Sequence, residues 1–270
     1  MQINVLNKDS FKIELKNLNV NFQNVNNPLL IPNPLTLCIN GEDNGRFNFF
    51  DTETLTLENF NSQLKKFEGN NKINVMYLHN VTNYIDYFDD LIVPFCRKNK
   101  IKIVVGAGTD LMDMGVCDIT YNKTPIELLE EYGVLDLEPI ILAATRLEKD
   151  DLEKLSYYNA SVCLDLSNGL INGCGVAQIP TMQNLNLNIM LNVRNDLFEE
   201  LKLVYMLSQG IYNHEQSYAN ILKMALLNGY KAFNLTNNQL MLLTNVNNFD
   251  LKNLVLNLNK NNIVKQSDLQ

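Results

Sequence analysis

Two histidines, His79 and His214, are all the imidazoles in this 270-residue chain. Imidazole is the side chain on which zinc and iron hydrolase centres chiefly depend, and a metal-bound hydroxide that attacks carbon takes about three protein donors. His79 follows the apolar run Ile73 to Leu78, where a ligand or a neighbouring polar side chain could claim it. His214 stands beside Glu215 in a polar connection and is expected to face solvent. The cysteines Cys38, Cys96, Cys117, Cys163 and Cys174 lack the close pairing of a zinc knuckle or a disulfide framework, and read as buried thiols. Cys38, Cys163 and Asp165 form one alternative donor set, weighed against the frequency of cysteine in ordinary cores. No Ser-His-Asp order, Gly-x-Ser-x-Gly elbow or Cys–His pair supports nucleophilic hydrolysis. Val105-Gly106-Ala107-Gly108 lacks the third glycine and the spacing of a dinucleotide loop.

The elements that must position these residues alternate in type. Ile73 to Leu78, Ile101 to Val105, Pro139 to Ala143, Ala160 to Leu164 and Leu187 to Leu191 are short, nearly continuous apolar runs, the pattern of parallel strands buried on both faces. Between and after them lie helical stretches at Tyr84 to Lys98, Pro125 to Tyr132, Lys149 to Tyr158, Asp196 to Gln209 and Gln216 to Leu227. Thr124-Pro125 and Asn195-Asp196 are helix-start signals. In the first helix Asp86, Asp89 and Asp90 read as the solvated side, opposite Ile85, Phe88, Leu91 and Ile92. The stretch from Asn40 to Asp51 reads as polar connection. Alternating bursts before residue 30 and after residue 240 predict a small terminal sheet. The predicted fold is therefore α/β, a TIM-like (β/α) barrel, incomplete or distorted, over residues 31–235, with a β-sheet subdomain from 1–30 plus 236–270. A doubly wound sheet fits less well, because no glycine-rich loop follows the first strand.

Composition narrows the partners. A formal net charge of -8 without Lys/Arg clusters argues against nucleic acid. No apolar run of membrane-spanning length and no signal-peptide pattern occurs, so a soluble, cytoplasmic protein without membrane association is expected. The abundance of asparagine reads as a compositional bias, since these residues interrupt apolar runs.

Several blocks carry a resemblance. Thr124-Pro125-Ile126-Glu127-Leu128-Leu129, Leu147-Glu148-Lys149-Asp150-Asp151-Leu152, Ser167-Asn168 with Gly175-Val176-Ala177 and Ile179-Pro180, Phe198-Glu199-Glu200-Leu201-Lys202-Leu203, and Met224 to Phe233 follow one another in order. Together they resemble the chlorohydrolase and nucleoside-deaminase branch of the metal-dependent amidohydrolases over roughly residues 29–245. That resemblance implies a (β/α) barrel whose metal is held by His-x-His on the first strand and one His from each of two later strands, with a catalytic Asp on the last.

Residue by residue, the implied positions hold other side chains. Cys38 and Asn40 fall where His-x-His would lie, Val105 at the next metal His, Gly108 at the substrate-binding Glu, Ala143 at the last His and Arg194 at the Asp. His79 falls where the family carries a substrate-contacting His. The expectation is a metal-free, cofactor-free pseudoenzyme that binds a small molecule or a protein partner, with Arg194 meeting an anionic or carbonyl-bearing group or else pairing with Asp196 or Asp165. Two alternatives remain: an active hydrolase or deaminase of non-peptide carbon–nitrogen bonds with an unconventional site that uses His79 and the cysteines or acids, and a structural subunit, homodimeric or paired with a paralogue.

Overall fold

Six short apolar runs pair as one parallel sheet: β1 (Phe47–Phe50), β2 (Ile73–Leu78), β3 (Lys102–Ala107), β4 (Ile140–Ala143), β5 (Ser161–Leu164) and β6 (Asn188–Leu191). Their order in the sheet is their order in the sequence. A doubly wound sheet reverses strand order at its switch point, whereas a barrel adds each strand beside the last, so the observed order is that of a barrel wall. The computed structural model describes residues 47–70, 72–192, 197–226, 228–234 and 256. The chain separates into two compact units, Leu37–Asn192 and Met1–Thr36 with Val193–Gln270. The expected terminal sheet and the Asn195-Asp196 helix start lie outside the described residues.

Helices join successive strands of the first unit. α1 (Leu57–Phe67) is capped by Thr56, whose hydroxyl accepts the Asn59 N–H. The run before β3 opens with a 3-10 turn, Thr82–Tyr84, passes through a π-helical stretch, Phe88–Ile92, and ends as α2 (Val93–Asn99). Asp86, Asp89 and Asp90 are exposed along it while Ile85, Phe88 and Ile92 are buried, as the pattern predicts. α3 (Leu111–Tyr121), α4 (Pro125–Glu131), α5 (Lys149–Tyr157), α6 (Leu166–Ile171) and α7 (Ile179–Asn184) follow. At Thr124 the hydroxyl accepts the Glu127 N–H while the Glu127 carboxylate accepts the Thr124 N–H, so two free donors of the helix start are satisfied. The same hydroxyl donates to Asp151 at 2.5 Å, tying α4 to the start of α5.

One sequence expectation needs correction: the polar stretch ending at Asp51 contains β1. Three helices have no counterpart in the sequence reading. α3 exposes apolar residues, with Met112 and Ile119 78% and 86% exposed, and α6 and α7 each span six residues, too short to show a period.

Side-chain alternation assigns the two sheet faces. Phe50 meets Phe60 and Phe67 of α1 and Phe95 of α2 at ring-centroid distances of 6.0, 5.1 and 5.6 Å, which marks its face as the helix-covered one. The register carries that face through Met76 and Leu78, Ile103 and Val105, Ile141, Val162 and Ile189. Tyr77, Val104, Gly106, Leu142, Cys163 and Met190 occupy the opposite face, the concave interior of a barrel. There Asn188 donates to the Ser161 hydroxyl at 3.0 Å, satisfying two buried polar groups of neighbouring strands.

In the second unit α8 (Leu197–Tyr212) and α9 (Tyr218–Leu226) pack together, with Tyr205 stacked on Tyr218 at 5.4 Å, and α10 (Asn228–Ala232) follows. Among the described residues no helix is long and apolar enough to cross a membrane.

Candidate functional site at the carboxyl ends of the strands

Barrel enzymes gather their reactive groups where the strands end, and here that edge begins with His79. It follows β2 on the interior face and is exposed. The Asn83 side-chain amide lies 2.7 Å from its Nε2 and the Tyr84 hydroxyl 2.8 Å from its Nδ1. An amide nitrogen can only donate, so Nε2 is the acceptor in the first pair, and Nδ1 faces the Tyr84 hydroxyl in the second. The Tyr84 hydroxyl in turn lies 3.3 Å from Oγ1 of Thr52, beyond the end of β1. This chain of contacts fixes the ring and occupies its lone pair.

Beside His79 stands Gly106. A Cβ at this residue would lie 2.2 Å from the His79 main-chain oxygen, so β2 and β3 approach more closely here than any side chain permits. Val105 is fully buried, on the helix-covered face with Leu78. The interior position at this level is therefore the glycine. Gly108, at φ 61°, turns the chain away; a Cβ there would meet Leu147 Cδ2 at 2.3 Å. Asp113 holds the turn by accepting the Thr109 N–H at 3.0 Å, and its carboxyl is pushed up from the usual range by burial.

β4 ends on two consecutive left-handed alanines, Ala143 at φ 71° and Ala144 at φ 51°. That region costs about 1–2 kcal/mol for a residue with a Cβ. The turn brings Arg146 across β3, where its N–H donates to the Gly108 oxygen at 2.9 Å. Asp165 follows β5, and Asn192 follows β6, its N–H donating to the Leu164 oxygen at 2.7 Å. Asn192 is 1% exposed, with neither side-chain amide atom hydrogen-bonded among the described residues.

Of the residues predicted from sequence, His79, Gly108 and Ala143 lie at the carboxyl ends of β2, β3 and β4, and Val105 lies between sheet and helices. Cys38, Asn40 and Arg194 fall outside the described residues. Arg146 carries no motif, and the backbone places it and Asn192 at this edge. Cys163 is buried mid-strand on β5.

Among the described residues, the side chains at this edge do not make a donor set for a divalent metal of the amidohydrolase kind. Gly106 and Ala143 offer no lone pair, Val105 faces the helices, and the free lone pair of the His79 ring accepts from Asn83. Among the described residues no group of three His, Cys, Asp or Glu side chains converges.

No protein-family profile matches the chain. It is 26% identical over 147 residues to a 5-methylthioadenosine/S-adenosylhomocysteine deaminase of Thermococcus kodakarensis, covering 51% of this chain and 34% of that protein. A protein of the same name from Pyrococcus abyssi is 27% identical over 124 residues, covering 43% of this chain and 29% of the relative. The match thus spans about a third of the length of these relatives. Among solved structures, an adenosine deaminase from Xanthomonas campestris with bound zinc superposes with a TM-score of 0.62 at 14% identity, covering 73% of this chain and 52% of that one. A variant of atrazine chlorohydrolase from Arthrobacter aurescens, complexed with zinc and atraton, gives 0.61 at 13%, covering 73% and 51%. The resemblance carried by the ordered sequence blocks and the sequential parallel sheet therefore agree, and the chain is similar in sequence and in fold to metal-dependent amidohydrolases.

Proposed function

We infer that this chain is a metal-free amidohydrolase-like binding protein whose small-molecule site is the carboxyl edge of the sheet. The observation that carries the reading is the contact between Gly106 and His79. Gly106, the interior residue at the end of β3, has no room there for a side chain that could serve as a donor. The census of two histidines supports it, since the His set implied by the family exceeds what this chain has. Retention of the barrel wall without its donors favours recognition over turnover.

The relatives are named for 5-methylthioadenosine and S-adenosylhomocysteine, so nucleosides of this kind are the first ligands to try. Calorimetry with each compound, alongside an ammonia-release assay, tests the reading. Binding without ammonia release is the expected result. Stoichiometric ammonia release that a chelator abolishes contradicts it.

The exposed, hydrogen-bonded imidazole of His79 favours a second reading, a hydrolase of carbon–nitrogen bonds that uses this ring without a metal. Chelator-resistant ammonia release that disappears in His79→Ala would establish that reading in place of the first.

A further inference from the structure

We propose that Arg146 is an anion-recognition residue, taking the carboxylate or phosphate group of a small molecule at the carboxyl end of β4. The proposal rests on the reading of this edge as a small-molecule site and goes beyond it in naming the ligand's chemistry. Arg97 shows how a surface arginine of this chain is ordinarily used: it pairs with Asp136 at 3.6 Å. The side chain of Arg146 has no hydrogen-bond or ion-pair partner among the described residues, and its Nε is buried. A guanidinium N–H withdrawn from water without an acceptor is costly, and this chain, at a formal net charge of -8, has carboxylates to spare for pairing.

Three features of the backbone hold the side chain in place. The left-handed alanines Ala143 and Ala144 turn the strand end, a strain that persists only where surrounding structure enforces it and that concentrates at functional sites. The bond from Arg146 N–H to the Gly108 oxygen anchors its main chain at the end of β3. Its guanidinium lies against Gly175, at φ 110°, where a Cβ would sit 2.8 Å from the Arg146 Cζ. Only glycine leaves room for the planar group there.

Asn192 supplies an independent observation. Two strands further along the same sheet edge it is buried, and its side-chain amide is without partners among the described residues. Guanidinium presents parallel N–H donors matched to the two oxygens of a carboxylate or phosphate, and an amide can both donate to and accept from the uncharged remainder of a ligand.

Titration calorimetry of the full chain with succinate, inorganic phosphate and uncharged succinamide tests the proposal. At least one anion binds, about tenfold or more tightly than succinamide. Succinate alone identifies a carboxylate ligand and phosphate alone a phosphate. Arg146→Met, which keeps an unbranched side chain and the main-chain bond to Gly108, loses that preference while keeping the wild-type circular dichroism. Arg146→Lys retains part of it, because an ammonium keeps the charge without the paired donors, and it decides the matter should the Met variant fail to fold. Equal binding of succinamide, anion affinity unchanged in the folded variant, or no anion binding by the wild type overturns the proposal. Each of these leaves the nucleoside and ammonia measurements to judge the metal-free reading on their own.

Discussion

The main-chain oxygen of His79 occupies the space where Gly106 would carry a Cβ, at 2.2 Å. One close approach between two strand ends thus keeps the only strand-end imidazole among the described residues while closing the neighbouring interior position to any side chain.

Gly106→Ala is therefore expected to destabilise the first unit by about 1–3 kcal/mol, the usual cost of forcing extra atoms into a packed interior. Urea denaturation followed by circular dichroism measures it. An unchanged midpoint would mean that β2 and β3 separate freely and that the glycine is incidental. Grafting a donor as Gly106→His should cost at least as much.

Thr124 has two jobs, capping α4 and donating to Asp151. Thr124→Ala loses a cap worth about 1 kcal/mol and leaves the buried Asp151 one donor short, for a total of about 2–3 kcal/mol. Thr124→Ser retains the hydroxyl and should restore most of this in the same measurement.

Asp151 also predicts a pH dependence. Burial raises its carboxyl above the ordinary range, partly opposed by the bonds from Thr124 and the Glu148 N–H. The folded chain then holds this proton to higher pH than the unfolded chain does. Its contribution is largest at and below the ordinary aspartate value and declines as pH rises through the raised one. In Asp151→Asn that decline should vanish from the plot of urea midpoint against pH, and an unaltered slope would assign it to another group.

The thiols of Cys96 and Cys117 are pushed up to about 12, chiefly by burial and for Cys117 also by the nearby Asp113 charge. Since the thiolate is the reactive form, a disulfide reagent at pH 8 should modify the partly exposed Cys174 before either. Labelling followed by peptide mass spectrometry checks the order; early modification of Cys96 would contradict the burial described.

Five of the six strands are legible in the sequence because a parallel strand covered on both faces must be apolar throughout, as Ile140–Ala143 and Asn188–Leu191 nearly are. Phe47–Phe50 escapes notice because its four residues follow a long polar stretch. At the site, the missing imidazoles are a matter of counting. Which face Val105 occupies is not, since alternation fixes faces only relative to a neighbour, and the reference came from Phe50 against the helices. Arg146 is silent in sequence for a physical reason: the left-handed turn at Ala143 and Ala144 is imposed by the surrounding fold on residues that ordinarily avoid it.

The central claim is that this barrel wall recognises ligands without a metal. Elemental analysis by mass spectrometry of untagged protein, expressed with zinc, iron and manganese supplied and then gel-filtered, tests it most directly. The account predicts well under one equivalent of each metal and a thermal midpoint unmoved by chelator. One tightly held equivalent whose removal lowers that midpoint would contradict it.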